Sequence, residues 1–257
     1  MNRYASFAYG LLCYAAFLGV YAYLCGFTGN LVVPKSIDAP ATTMLPAQAV
    51  AIDFALLIAF GLQHSVMARP GFKRVWTRIV PTTVERSTFV LSSCVALGVL
   101  VWQWQPVDVV IWDVQNGAAR IALWTLFAAG WLMVPVVSLM INHFDLFGLR
   151  QVWLHLRGRE NTPLEFKTPY LYAHIRHPIY VGWALAFWAT PTMTAGHLLL
   201  AIVLTGYMGL AAIVEERDLV AHFGDKYEQY RRTTPRYIPR LRFSRDADVR
   251  RSGARSA

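Results

Sequence analysis

Ionisable side chains stand at both ends of one apolar stretch near the C-terminal end of the chain. His174, Arg176 and His177 precede the stretch in "HIRHPIY", and Glu215 and Glu216 end it in "EER". Ionisable groups are costly to place in a membrane, and at its boundary they suggest function. Adjacent carboxylates also repel each other unless a cation or a hydroxyl lies close by. The two groups therefore predict either an ion-pair cluster or a ligand site.

The residues alone leave both interpretations open. In the first, Arg176 is only the counter-ion of the carboxylates. In the second, the cluster binds a ligand that has both a carboxylate and a positive centre, as S-adenosylmethionine does, together with a ribose diol. Pro178 suits the first turn of a helix, where its missing N–H costs nothing. Gly182, one turn later, leaves room for a ligand or for a neighbouring helix.

Other polar residues lie inside or beside apolar runs. Asp53 is near the expected outer end of the second run and could face an outer aqueous layer. His64 either caps the inner end of that run or acts in catalysis. Asn142 and His143 form a polar lip after the fourth run. His197 lies at a break in the last apolar stretch and joins a site only if that break folds toward it.

Composition indicates a membrane protein. Of 257 residues, 56% are hydrophobic and only 15% are charged, which is low for a soluble domain. A spanning helix needs about 20 apolar residues, and four runs qualify: 4–27, 46–68, 87–107 and 118–142. Pro135 should kink the fourth because it removes a backbone donor.

The stretch 178–214 differs from these runs because it is broken near "ATPTMTAGH". Its first arm has about 11 residues, or about 16 Å of helix, which is too short to span. We therefore expect a membrane hairpin that turns at Thr190–Thr194, and the alternative is five plain spans. The fold class is all-α: a polytopic integral membrane protein with four spanning helices and a C-terminal hairpin.

Positive charge sets the expected orientation. Of the 24 Lys and Arg residues, five lie in 69–86, five in 150–176 and eleven in 217–255. The positive-inside rule places these segments in the cytoplasm. The chain is then expected in a bacterial inner membrane with its active site facing the cytoplasm. Most of these charges orient the protein or contact anionic lipid, so no nucleic-acid partner is needed to explain them.

Several functional classes lack support in the sequence. No GxGxxG, P-loop, HExxH or CxxC pattern occurs, and we expect no metal site. The three cysteines lie in apolar runs and are interpreted as packing residues. Strand and helix patterns do not alternate, which excludes a Rossmann-type methyltransferase.

The segment from about 170 to 239 resembles a superfamily of membrane methyltransferases through "RHPIYVGW", "EERDL", "FGDKYEQY" and the closing "IP". This superfamily includes the isoprenylcysteine carboxyl methyltransferases and the phospholipid N-methyltransferases. The resemblance implies S-adenosylmethionine as cofactor and these residues in its pocket: His177, Pro178, Tyr180, Gly182, Arg176, Glu215 and Glu216, with Gln151 and His174 as weaker candidates. Arg176 would hold the methionine carboxylate, and Glu215 and Glu216 would contact the ribose or the amino group.

Nearly the whole chain, from about 26 to 239, is similar to the methanethiol S-methyltransferases of that superfamily. The matching segments include "FGLQHSVMARPGFKRVWTRIVP" and "NHFDLFGLRQVWLHLRG". This resemblance implies methylation of methanethiol to dimethyl sulfide by a single membrane-embedded domain, 1–239. The cofactor site would lie in 150–239, and the basic tail 240–257 is expected to be disordered.

Thiol methylation requires a group that removes a proton or stabilises a thiolate, because the thiolate is the nucleophile. The candidates are His64, Asn142, His143 and His197. Phe144, Trp153 and Trp183 are expected to wall a small apolar pocket. Two other functions compete with this one: methylation of a lipid or prenylcysteine, and a non-catalytic membrane protein of the same fold.

Overall fold

The computed structural model describes residues 2–239, so the expected tail 240–257 lies outside the described residues. Helices dominate, and the elements are, in order, α1 Arg3–Gly29, α2 Pro46–Ala68, α3 Pro70–Trp76, α4 Thr82–Gln103, β1 Val110–Asp113, α5 Gly117–Ile141, α6 His143–Leu146, α7 Leu149–Leu156, a 3₁₀ turn Tyr170–Ala173, α8 Pro178–Trp188, β2 Thr192–Thr194, α9 Ala195–Phe223 and α10 Asp225–Thr233.

Five helices (α1, α2, α4, α5 and α9) are long and apolar enough to cross a membrane. This confirms the prediction of an all-α polytopic membrane protein. The second span agrees with its predicted limits. The third begins five residues earlier than predicted, at Thr82, and ends at Gln103. The backbone leaves the helical conformation at Trp104, whose buried indole N–H donates to the carbonyl of Ile37 at 3.0 Å.

The last apolar stretch is broken where the sequence predicted. Helix α8 has 11 residues, and the chain then turns through 189–194 into the 29 residues of α9. The break is held by β2, which pairs antiparallel with β1, so that Val110 lies opposite Thr194. No strand was predicted from the sequence. The pair forms because backbone groups at a non-helical turn need partners, and the loop before α5 supplies them.

Helices α5 and α8 pack closely through glycine. A Cβ on Gly130 would lie 2.5 Å from the amide nitrogen of Ala186, and one on Gly182 would lie 3.2 Å from the carbonyl oxygen of Gly130. Gly182 therefore leaves room for a neighbouring helix. This contact positions the start of α8, where the "RHP" motif lies.

Helix α5 continues through Pro135 to Ile141. Because proline has no N–H, the carbonyl of Trp131 has no donor four residues later in its own helix. The hydroxyl of Tyr21 on α1 donates to that carbonyl instead. The tyrosine thus joins α1 to α5 at the depth where the proline interrupts the hydrogen-bond ladder.

The structure buries Asp53 completely, in contrast to the interpretation that it faces an outer aqueous layer. Its Oδ1 accepts a hydrogen bond from the backbone N–H of Gln105 at 2.8 Å. The carboxyl group therefore fixes the chain after α4.

Candidate active site

Glu216 is the centre of a buried cluster at the entrance of α8 and the end of α9. Its side chain is 2% exposed. Its Oε1 accepts from Nε of Arg176 at 2.9 Å, from Nε2 of His177 at 3.0 Å and from Nε of Arg236 at 3.0 Å. A second bond from Arg236 reaches Oε2 at 2.8 Å. Glu216 therefore already has the donors that a buried carboxylate requires.

Arg176 is engaged as well. Besides Glu216, it donates through Nη1 to the backbone carbonyls of Arg231 and Thr234. Arg176 is thus a counter-ion of Glu216 in the structure, whether or not it also contacts a ligand. Its side chain is 10% exposed, so the pair is shielded from water.

Residues 234–239, here named the C-terminal strap, cover the motif. The backbone N–H groups of Arg176 and His177 donate to the carbonyls of Pro235 and Arg236, at 2.9 and 3.1 Å. The Glu216 carboxylate raises the pKa of the Arg236 guanidinium, which therefore stays charged. Motif, α9 and strap are held as one unit.

Glu215 is the more accessible carboxylate of the pair. Its side chain is 46% exposed, and its Oε2 accepts from the Tyr180 hydroxyl at 2.9 Å. Nδ1 of His177 lies 3.7 Å from the same oxygen. Within residues 2–239 the other oxygen, Oε1, has no hydrogen-bond partner. Glu215 is thus the carboxylate with an atom available to a ligand.

Two aromatic side chains complete this region. The Tyr180 ring stacks on the His177 ring at a centroid distance of 5.1 Å. The Tyr237 ring of the strap lies near His177, with the two ring centroids 5.9 Å apart. The buried Tyr237 hydroxyl has no hydrogen-bond partner among the described residues. A buried hydroxyl without a partner costs free energy, so this atom is a second candidate contact for a polar ligand.

The remaining predicted cofactor residues have other surroundings. Pro178 is buried at the first turn of α8, as its sequence context predicted. His174 is exposed after the 3₁₀ turn, and the structure does not bring it into the cluster. Gln151 donates to Oδ1 of Asp145 at 3.1 Å rather than to the motif, and its buried Oε1 has no partner in the described part of the chain.

His64 lies between α2 and α4 in a setting that fixes its tautomer. Its Nδ1 is 3.1 Å from the hydroxyl of Ser93, and that hydroxyl donates to the carbonyl of Phe89 at 3.0 Å. A hydroxyl has one hydrogen, so Ser93 must accept from Nδ1–H. The lone pair of the neutral ring is then on Nε2, which has no hydrogen-bond partner in residues 2–239.

His143 is hydrogen-bonded at both ring nitrogens. Ser138 donates its hydroxyl to the carbonyl of Pro135 at 2.8 Å, so it accepts from Nδ1–H of His143 at 2.7 Å. Nε2 then accepts from the Tyr14 hydroxyl, also at 2.7 Å. Burial lowers the pKa of His143, which keeps the ring neutral. His143 therefore reaches a substrate proton only through Tyr14.

An aromatic cluster separates the two histidines. His64 lies 4.9 Å from the Phe89 ring, and His143 lies 4.8 Å from the Phe147 ring. Phe17 of α1 stacks on Phe147 at 3.9 Å and packs against the Phe89 side of the cluster. Both histidines thus border one apolar interior in the half of the protein that holds the "RHP" motif.

Of the aromatic residues expected to wall a pocket, only Trp183 points inward. It packs 5.3 Å from Trp131 and 5.8 Å from Tyr21. Phe144 and Trp153 are exposed beside Asn142, in a groove on the outer surface. Asn142 follows α5 directly, and its carbonyl accepts from the amides of Asp145 and Leu146 in α6.

His197 lies at the other end of α9 from Glu215. Their separation of 18 positions corresponds to about 27 Å along the helix. Its ring is buried, with Nε2 donating to the carbonyl of Phe187 at 2.9 Å, and its backbone N–H bonds the Thr194 side chain. The break therefore does not fold toward the cluster, and His197 is separated from the other candidates.

Sequence reasoning missed three residues that organise the site. They are Arg236, Ser93 and Tyr14. Arg236 lies in the "PRYIP" segment beside the recognised closing "IP", which was the available signal. Ser93 and Tyr14 lie in apolar helices, where no spacing distinguishes a hydrogen-bonding residue from a packing one.

The known proteins most similar in sequence to this chain include several methanethiol S-methyltransferases. The chain is 50% identical over 239 residues to the methanethiol S-methyltransferase of Crocosphaera subtropica, covering 93% of each chain. It is 51% identical to that of Mycobacterium tuberculosis, covering 93% of this chain and 98% of the relative. Mouse Nurim is 33% identical over 178 residues, covering 65% of this chain and 66% of its own.

No family model matches the chain. No solved structure matches it significantly.

Proposed function

The chain belongs to the methanethiol S-methyltransferase family, and from this premise we propose that it transfers a methyl group from S-adenosylmethionine to methanethiol, giving dimethyl sulfide. The observation that carries the proposal is about 50% identity to proteins of that name along 93% of the chain. The 239 matched residues leave only 18 of the 257 outside the comparison.

The Glu215–Glu216 region fits a cofactor of this kind. Glu215 has an accessible carboxylate oxygen for hydroxyl or ammonium groups, and the buried Tyr237 hydroxyl has no partner among residues 2–239. Arg176 supplies a guanidinium for a carboxylate, with Nη2 free of hydrogen bonds in the same range. His177 and Tyr180 would form the stacked wall of the pocket.

Glu216 has a different role in this proposal. Since its oxygens already accept four bonds from three side chains, it would hold Arg176, His177 and Arg236 in place rather than bind the ribose itself. We therefore assign the first contact with the cofactor to Glu215. With this assignment, the proposed cofactor site lies within 150–239.

The reaction needs little covalent help from the protein. Bound S-adenosylmethionine supplies the methyl group on a sulfonium and keeps the electron pair of the broken C–S bond. The protein must orient the thiol sulfur in line with that bond, exclude water and accept the thiol proton. An apolar interior suits a substrate with one sulfur and one methyl group.

We assign proton acceptance to His64. Its Nε2 has the lone pair, because Ser93 holds the proton on Nδ1. The ring borders the apolar interior at Phe60 and Phe89, with centroid distances of 5.6 and 4.9 Å. Nε2 of His64 would accept the S–H proton, which would leave an electron pair on the thiol sulfur for attack on the methyl group. His143 borders the same interior at Phe147, whereas Asn142 lies beside the outer groove.

The proposed location is a bacterial inner membrane with the active site facing the cytoplasm. The motif lies at the end of the protein where α2 meets the basic segment that follows it, since Arg69 pairs with Asp218 of α9 at 2.7 Å. By the positive-inside rule, this end faces the cytoplasm, where the charged cofactor is made.

A direct assay tests the function. Purified protein in detergent receives labelled S-adenosylmethionine with methanethiol or, in parallel, a prenylcysteine analogue, and volatile product is detected by gas chromatography. We expect dimethyl sulfide from the first reaction and no methylated product from the second. Methylation of the prenyl substrate alone would overturn the small-thiol assignment, and failure to bind the cofactor would overturn methyl transfer.

A further inference from the structure

A groove lies on the outer surface between α1, α5 and α7, away from the motif cluster. Its volume is about 560 Å³. Its apolar walls are Phe7, Leu11, Leu139, Phe144, Leu149 and Trp153. The groove is also lined by Ile141, Asn142, His143, Asp145 and Arg150. Neither the proposed cofactor contacts nor the proposed proton acceptor His64 lines it, and its volume is far larger than one methanethiol molecule requires.

Helix α7 forms one wall because it lies antiparallel to the first turns of α1. Gly10 permits this approach, since a Cβ there would lie 2.6 Å from Val152. The rings of Phe7 and Trp153 are in contact, at a centroid distance of 5.8 Å. Leu149 and Trp153, four residues apart, present one face of α7 to the groove.

The mouth of the groove is basic. Arg3 lies four residues before Phe7 on α1, and Arg157 lies four residues after Trp153, directly after the last residue of α7. The Arg157 guanidinium lies 5.7 Å from the centre of the Trp153 ring. Arg3 lies beside Gly158, with Nη1 3.0 Å from the position that a Cβ would occupy. Both arginines therefore lie where the end of α7 meets the start of α1.

These arginines have no carboxylate partner in the described structure. Arg3, Arg157 and the neighbouring Arg159 are exposed, and none forms an ion pair with a residue of 2–239. The nearby Glu160 offsets one of the three charges at most. By contrast, Arg150 inside the groove is paired with Asp145 at 3.2 Å. Free positive charge is therefore concentrated at the mouth.

An apolar groove with a cationic mouth at a membrane boundary matches one kind of ligand. We propose that it binds an anionic phospholipid, with an acyl chain along the apolar walls and the phosphate between Arg3 and Arg157. Each arginine near the membrane surface is expected to favour the anionic lipid about fivefold, so that two give about a 25-fold preference over a zwitterionic lipid.

Native mass spectrometry tests this directly. Delipidated protein in detergent is mixed with equal amounts of dioleoylphosphatidylglycerol and dioleoylphosphatidylcholine, and the bound lipids are counted. We expect the glycerol lipid to be retained about 25-fold over the choline lipid. The Arg3→Gln/Arg157→Gln variant should lose this preference, and Arg3→Lys/Arg157→Lys should restore most of it.

Two further variants separate a site from general attraction. Arg74→Gln/Arg78→Gln removes two exposed charges from the segment after α2 and should keep the preference. Leu11→Trp, at an exposed wall position, should reduce retention of both lipids by filling the groove. Equal retention of phosphatidylglycerol in the wild-type protein and in the Arg3→Gln/Arg157→Gln variant, or unchanged retention in Leu11→Trp, would overturn the proposal.

Discussion

Arg236 donates to both carboxylate oxygens of Glu216, at 3.0 and 2.8 Å, from a position twenty residues further along the chain. This pair ties the C-terminal strap to the end of α9. Because Arg176 and His177 share the same carboxylate, one side chain organises three segments of the protein. The integrity of the site therefore depends on Glu216.

We expect Glu216→Gln to destabilise the protein strongly. The variant leaves Arg176 and Arg236 without a counter-charge, and breaking a buried ion pair typically costs about 3–5 kcal/mol. Unfolding in detergent, followed by circular dichroism, measures the change. The matched control is Glu228→Gln, which removes a carboxylate that pairs with Arg231 at the surface and should change stability little. Equal effects of the two substitutions would show that Glu216 does not organise the cluster.

His64→Asn should lower turnover and leave cofactor affinity unchanged. Loss of a general base typically costs about 10²–10⁴ in rate, and His64 makes no contact with the Glu216 cluster. Single-turnover formation of dimethyl sulfide measures the chemical step, and calorimetry measures cofactor binding. Ser93→Ala should cause a smaller decrease in turnover. It leaves the His64 ring in place and removes only the hydroxyl that holds the proton on Nδ1.

His222→Asn is the control for this prediction, since His222 is exposed near the end of α9. It should behave like the wild-type protein. If His64→Asn retained full turnover, or if it weakened cofactor binding as much as it slowed the reaction, His64 would not be the proton acceptor.

Gly130→Ala should separate α5 from α8 and distort the motif. The new Cβ would lie 2.5 Å from a backbone nitrogen of α8, which cannot yield as a flexible side chain can. Overpacking of this kind typically costs about 1–3 kcal/mol. Gly182→Ala, at 3.2 Å from its nearest neighbours, should cost less. Melting temperatures measured in detergent should therefore be lower for Gly130→Ala than for Gly182→Ala.

Gly98→Ala is the control for the glycine pair. Nothing lies within 4 Å of a Cβ at that position in α4, so the substitution should be neutral or stabilise by up to about 1 kcal/mol through helix propensity. Equal melting temperatures for all three variants would contradict the close packing of α5 on α8.

The sequence allowed four of the five spanning helices to be predicted, because long apolar runs indicate their approximate limits. The fifth, α9, was expected only as one arm of the hairpin, and the structure shows that it is long enough to span by itself. The same reasoning placed "HIRHPIY" and "EER" together, since the two ends of a hairpin return to one level. It could not show that Glu216 is already paired, because apolar periodicity carries no information about which donors surround a carboxylate. The β1–β2 pair was missed for a related reason: each strand has only three or four residues, and both depend on a long-range partner.

His197 illustrates a different difficulty. Both His197 and His64 lie in apolar stretches of the sequence, so the sequence alone gave both as candidates. The two histidines differ in their distance from the end of the protein that holds the motif. For His197 this distance depends on where the hairpin turns and on how long α9 is. Helix α9 runs to Phe223, and this length leaves His197 at the opposite end of the protein from Glu215.

A double-mutant cycle tests the link between α1 and α5. Tyr21→Phe removes the donor to the Trp131 carbonyl, and in membrane proteins such hydrogen bonds contribute about 0.6 kcal/mol on average. In a Pro135→Ala background, the new backbone N–H at residue 135 supplies that carbonyl with its usual helical partner. The cost of Tyr21→Phe should then fall to near zero. Reversible unfolding in mixed micelles measures all four corners of the cycle, and strictly additive free energies would mean that the tyrosine does not compensate for the proline.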